Sequence, residues 1–216
     1  MRYLLLLLTI LLVSAPAALA QDKDYGDWEF YIGYAHERAN NGADRLDAKG
    51  VRIRPNGTTA RVDFVSDPRV PHHGVMGEVV ANVHRNVGLV TNFSYTTANV
   101  DFFDRLSGNS FDARLHRYTL LFGPRFNFRN STPLIPFAHA LFGVTRYKAS
   151  FKNNTTFSCP DTNETAFAMG LGAGLDIRVN KRIDIRAIQA DYLPVFFKHG
   201  REDGLRFSAG VKIKTN

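Results

Sequence analysis

The chain has a single cysteine, Cys159, among its 216 residues, so no disulfide can form within it. Beyond residue 20 it also lacks any apolar run near the ~18 residues that a membrane-spanning helix requires. Sustained three-to-four spacing of apolar residues, the signature of an amphipathic helix, is missing as well. Charge is not concentrated: the net charge is +7, yet Lys and Arg are spread along the whole length. That spread favours neither nucleic acid nor an anionic membrane surface as a partner. His72-His73 has no Cys or carboxylate pattern around it, so no metal site is read there. His84, His116 and His199 sit near strand ends without the spacing that marks a hydrolytic set. No catalytic, cofactor-binding or metal residue is therefore assigned, and no enzyme activity is expected.

What is present begins with a leader. Met1-Arg2 is a short basic start, Leu4 to Val13 is apolar apart from Thr9, and Ala18-Leu19-Ala20 fits a small-residue cleavage pattern. A secretory signal peptide over residues 1–20, cut before Gln21, is expected, leaving residues 21–216 as one domain. An exported chain without disulfides must draw its stability from elsewhere.

Period-two alternation dominates the remainder. Trp28, Phe30, Ile32 and Tyr34 alternate with Glu29, Tyr31 and Gly33. The same pattern recurs at Val75 to Val83, Val87 to Tyr95, Tyr118 to Phe128, Ala138 to Val144 and Leu205 to Ile213. The run "AFAMGLGAGLDIRVNKRIDIRAI" (166–188) supplies two further segments, which gives eight strands. Long gaps (about 39–73, 98–114, 149–164) alternate with short ones, so a meander would place every long loop at one end and every tight turn at the other. Two local features qualify the pattern. The oily parity flips at Ala187-Ile188, which calls for a one-residue bulge. "GVRIRPNGTTARVDFV" (50–65) reads as a hairpin inside the first loop, with two extra barrel strands, ten in all, as the alternative.

Alternation alone leaves open which face is inside. A soluble ligand-binding barrel of the lipocalin type turns its oily face inward, and a membrane barrel does the reverse. Glycine favours the second. Gly33, Gly88, Gly123, Gly143, Gly170, Gly172, Gly174 and Gly210 all share the polar parity, where a narrow lumen needs small residues beside large charged ones. That parity also carries both signs: Glu29, Glu78, Arg117, Arg125, Asp176, Arg178, Asp184, Arg186, Asp191 and Arg206 form a lumen-facing cluster. On the oily parity, Tyr34, Tyr95, Tyr118 and Tyr192 fall near the long-loop end, and Trp28, Phe126 and Phe128 near the turn end. Two aromatic belts around an aliphatic middle match the girdles of a membrane barrel.

The runs "LLFGPRFNFR" (120–129), "PFAHALFGVTR" (136–146), "MGLGAGLDIRVNKRIDIRAIQADYLPVFF" (169–197) and "LRFSAGVKI" (205–213) resemble the small outer-membrane β-barrel domains of the OmpA/OmpX-like, porin family. The resemblance implies an all-β, eight-stranded antiparallel up-and-down barrel in the outer membrane of a Gram-negative-type bacterium, with no cofactor. The expected partners are outer-membrane lipid and an unidentified ligand of the long loops, with no nucleic acid. A monomer with a side-chain-filled lumen and a structural or surface-interaction role is expected, the alternatives being a narrow channel for ions or small solutes and the soluble ligand-binding barrel.

Overall fold

The computed structural model describes residues 25–40, 51–53, 59–61, 64–65, 69–104, 110–151, 162–197 and 200–215. The leader, Cys159 and the Pro55-Asn56-Gly57 turn lie outside the described residues. Eight long strands make the wall: β1 (Trp28–Asn40), β5 (Arg69–His84), β6 (Val87–Asp104), β7 (Ser110–Asn127), β8 (Leu134–Phe151), β9 (Thr162–Arg178), β10 (Ile183–Phe197) and β11 (Gly200–Lys214). Each pairs antiparallel with its sequence neighbour, and β1 pairs with β11, which closes the barrel. Three short strands fall within the first long connection. β2 (Val51–Ile53) and β3 (Thr59–Arg61) pair only with each other, as the hairpin reading requires, and β4 (Phe64–Val65) adds to β6. The wall therefore has eight strands and not ten.

Side chains alternate between two environments along every wall strand. Ile32, Val79, Phe93, Leu120, Phe142, Leu171, Ile185 and Val211 point outward and are exposed, whereas the residues between them are mostly buried inside. An oily exterior around a polar interior is the arrangement of a barrel solvated by lipid, and it is the opposite of a lipocalin-type barrel. Closing the sheet leaves the wall without a free edge, so its backbone groups pair between neighbouring strands apart from local interruptions.

The parity flip in β10 is resolved by a bulge. Pairing with β9 and β11 shifts between Arg186 and Ile188 or Gln189. Ala187 and Ile188 both face outward, with Arg186 and Gln189 inside on either side. Pro124 interrupts a ladder as a residue without an N–H must: pairing of β7 with β8 skips from Phe122 to Arg125.

The loop boundaries differ from the sequence reading. Strand pairing continues to Asp104 and Ser110 where a loop over 98–114 was expected, and to Phe151 and Thr162 where 149–164 was expected. The cause is physical. The oily alternation stops where the lipid ends, but backbone pairing does not. An 18-residue strand such as β6 is about 60 Å long. Tilted by ~40°, it rises about 45 Å, well beyond the ~25 Å apolar band of a membrane barrel. His72 and His73 are likewise strand residues of β5 and not loop residues; His72 is buried in the lumen and His73 is exposed outside.

Candidate functional site: an ionic lumen

The interior is held by ion pairs between inward-facing residues of different strands. Arg186 lies at the centre. Its Nη1 donates to Glu78 Oε2 at 2.5 Å and its Nε to Asp176 Oδ1 at 2.8 Å. Arg125 reaches the same two carboxylates, at 2.7 Å from Asp176 and 3.5 Å from Glu78. Both guanidinium planes lie over aromatic faces: Arg125 is 3.7 Å from the Phe137 centroid, and Arg186 is 4.0 Å from Tyr31 and 4.5 Å from Phe137. Lys212 extends the group to Asp176 at 2.8 Å, Asp184 at 3.0 Å and Glu29 at 3.0 Å. Charges taken out of water are stable only when paired and hydrogen-bonded in this way.

A second group adjoins the first. Arg206 binds Asp191 at 2.7 Å and donates to Ser94 at 2.8 Å, and Asp191 also meets His139 Nε2 at 3.0 Å. Gln189 links the groups, donating to Glu78 and to Asp191. Toward the turn end, Arg129 pairs with Glu29, and Lys214 with Asp184 at 2.6 Å. Toward the loop end, Arg117 pairs with Glu37, and its guanidinium lies 4.9 Å from the Tyr147 centroid.

Of the residues placed in the lumen by parity, Glu29, Glu78, Arg117, Arg125, Asp176, Asp184, Arg186, Asp191 and Arg206 are buried there. Arg178 differs. It is opposite Asp184 in register, near the β9–β10 turn, and half-buried as a residue with its Nε and Nη2 enclosed, so it lies at the turn end of the lumen and not at its middle. Glycine makes the room. A Cβ at Gly172 would overlap the Asp191 carboxylate and come within 2.7 Å of His139, and one at Gly174 would overlap the Phe137 ring.

Parity reasoning left out several lumen residues. Lys212 and Lys214 carry the signal plainly, since they alternate with Val211 and Ile213, and Arg129 continues the face of Arg125 and Asn127. Glu37 lies past the end of the oily alternation of β1, which hid it. An apolar lumen cluster of Val80, Val90, Leu121, Leu141, Ala168, Leu193 and Val195 was also not anticipated, because these residues share the polar parity. Outside, Tyr34, Tyr118, Phe126 and Phe128 are exposed, while Trp28, Tyr95 and Tyr192 are half-buried against their neighbours. Tyr95 and Tyr118 have ring centroids 4.9 Å apart, and the Tyr192 hydroxyl donates to Asp203 at 2.6 Å.

A closed barrel with an apolar exterior, aromatic belts and a paired ionic interior defines a transmembrane β-barrel. The chain belongs to the outer membrane protein beta-barrel domain family, whose pattern it matches over residues 5–216, and this places it in a Gram-negative outer membrane. Its fold is similar to that of Neisserial surface protein A (TM-score 0.56, 14% identity, covering 88% of this chain and 97% of that one). It is also similar to the attachment invasion locus protein Ail of Yersinia pestis, solved in complex with the heparin analogue sucrose octasulfate (TM-score 0.51, 17% identity, covering 87% and 99%). The outer membrane protein OprG of Pseudomonas aeruginosa is a further structural relative (TM-score 0.51, 12% identity, covering 89% and 98%). No curated protein sequence matches the chain at a significant level.

Proposed function

We propose that the protein is a non-enzymatic, membrane-anchored surface protein with a plugged lumen, whose contacts are made by the strand extensions and loops beyond the lipid. The observation that carries this reading is the lumen itself. Glu78, Arg125, Asp176 and Arg186 have essentially no surface that water can reach, whereas charges lining an aqueous channel would be wetted along its length. The apolar cluster, drawn from β5 to β10, reinforces the closure. In planar bilayers the protein therefore shows no unitary conductance. Discrete, reproducible steps would refute the plugged reading.

A second reading, a narrow channel, is supported by buried polar atoms without a hydrogen-bond partner in the loop-end half: Glu37 Oε2, His72 Nε2, Thr96 Oγ1 and Arg117 Nε. If conductance is found, Arg117→Ala alters it more than Arg178→Ala, because Arg178 lies at the turn end of the lumen. Delivery follows from the leader. Residues 1–20 act as a signal peptide removed before Gln21, so N-terminal sequencing of the membrane-extracted protein begins at Gln21; a chain that begins at Met1 contradicts this.

A further inference from the structure

Scattered basic residues become neighbours when the strands pair. One register row on the outer wall contains Tyr34, Val75, Tyr95, Tyr118 and Arg146 across β1, β5, β6, β7 and β8. This row carries the loop-end aromatic belt, where the lipid tails end. Two residues further out, the next row contains His36, His73, Thr97, His116 and Lys148. Beyond it, Arg38 pairs with Pro71, and Asn99 with Arg114. Neither outer row contains a carboxylate. The first acidic residues on this face, Asp101 and Asp112, are opposite each other one row further out. The sequence has no basic run here because each strand contributes only one or two of these residues, separated by inward-facing ones.

The side chains are organised. The Tyr95 hydroxyl meets His116 Nδ1 at 2.8 Å, and the two rings stack with an interplanar angle of 14°. Tyr34 bonds His73 Nδ1, and the His36 and His73 rings lie 4.8 Å apart. Arg114 Nε donates to Asn99 Oδ1 at 3.2 Å, which fixes its guanidinium. Lys148 and Arg114 both act electrostatically on His116. Together His73, Tyr95, Asn99, Arg114 and His116 line a groove of about 340 Å3 on the outer wall.

We infer that this groove is a headgroup site for a phosphate-bearing glycolipid of the surrounding leaflet. Arg and Lys just beyond an apolar belt pair with phosphate while their stems remain against the hydrocarbon boundary. Imidazoles add N–H donors. Tyr95 of the aromatic row lines the groove together with His73, His116, Asn99 and Arg114 from the next two rows, so a ligand anchored in the leaflet beside that row brings its headgroup to the groove. The inference rests on the reading that the long-loop end meets the outer leaflet. The test below is independent of orientation.

The mature protein, folded in detergent micelles, is titrated with diphosphorylated lipid A and with its dephosphorylated form, and bound lipid is counted by native mass spectrometry. The phosphorylated lipid is expected to bind about tenfold tighter or more. Arg114→Gln with Lys148→Gln removes most of that preference, Arg114→Lys retains it, and Arg201→Gln on the opposite wall leaves it unchanged. Heat-dependent gel mobility shows that each variant is folded. Equal binding of the two lipids by the wild-type protein overturns the proposal, whatever the variants do. So does full retention of the preference in the folded double variant. Displacement of the lipid by millimolar inorganic phosphate, or by a sulfated polysaccharide, overturns the assignment to lipid.

Discussion

Replacing Arg186 with Gln removes the cation that bridges Glu78 and Asp176. Breaking a buried pair costs about 3–5 kcal/mol when it leaves a charge uncompensated. Here compensation remains in part: Asp176 keeps Arg125 at 2.7 Å and Lys212 at 2.8 Å. Glu78 fares worse, keeping Arg125 at 3.5 Å and amide donors from Asn92 at 2.9 Å and Gln189 at 3.2 Å. The loss should fall at the lower end of the range, about 3 kcal/mol, or more than a hundredfold in the folding equilibrium. Reversible urea unfolding in vesicles, read by the fluorescence of the chain's one tryptophan, Trp28, measures it. Glu78→Gln with Arg186→Gln should cost less than the two single changes together by about 1–3 kcal/mol, because the orphaned carboxylate is then neutral. Arg201→Gln is the control. Its partner Asp203 lies 2.8 Å away, but both side chains are about half exposed (49% and 50%), so its loss should leave stability close to that of the wild type. If Arg186→Gln stays within ~0.5 kcal/mol of wild type, or the double variant is additive, the ionic lumen does not stabilise the barrel as argued.

Two further outcomes follow from packing and register. Gly172→Val forces a branched side chain against the Asp191 carboxylate and His139, and should lower stability by about 1–3 kcal/mol in the same assay; wild-type stability would mean that the lumen has spare volume there. Deletion of Ala187 removes the bulge but keeps Arg186 and Gln189 inside with Ile188 outside, so the protein should still fold to a heat-modifiable barrel. Insertion of an alanine between Leu171 and Gly172 turns the rest of β9 inside out and should abolish that form. Equal behaviour of the deletion and the insertion would contradict the register.

The strand count, the outward oily face and the bulge were legible because each follows from one rule, the period of two. Residues such as Glu78, Asp176 and Arg186 stand out on that rule, and the glycines on the same parity, Gly170, Gly172 and Gly174 among them, favour a lumen over a water-facing surface. The rule fails where the environment no longer alternates. Glu37 and His72 sit in strand regions that clear the lipid, where outward positions are polar too, so they read as loop. Val80, Leu121 and Leu193 are apolar on both counts and gave no parity signal. Relations between strands were not legible at all. The bridging of Glu78 by Arg125 and Arg186, from β7 and β10, depends on closure and tilt, and so does the gathering of His36, His73, His116 and Lys148 into one row.

The apolar outer wall is argued above to meet membrane lipid around an ionic, closed interior. Fractionation of cells expressing the full chain, followed by gel electrophoresis of the membrane fraction with and without boiling, tests it most directly. The expected result is an outer-membrane protein that migrates faster unboiled and shifts to its full apparent mass on heating. A protein found in the soluble periplasm or the medium, or one whose mobility is indifferent to boiling, would contradict it.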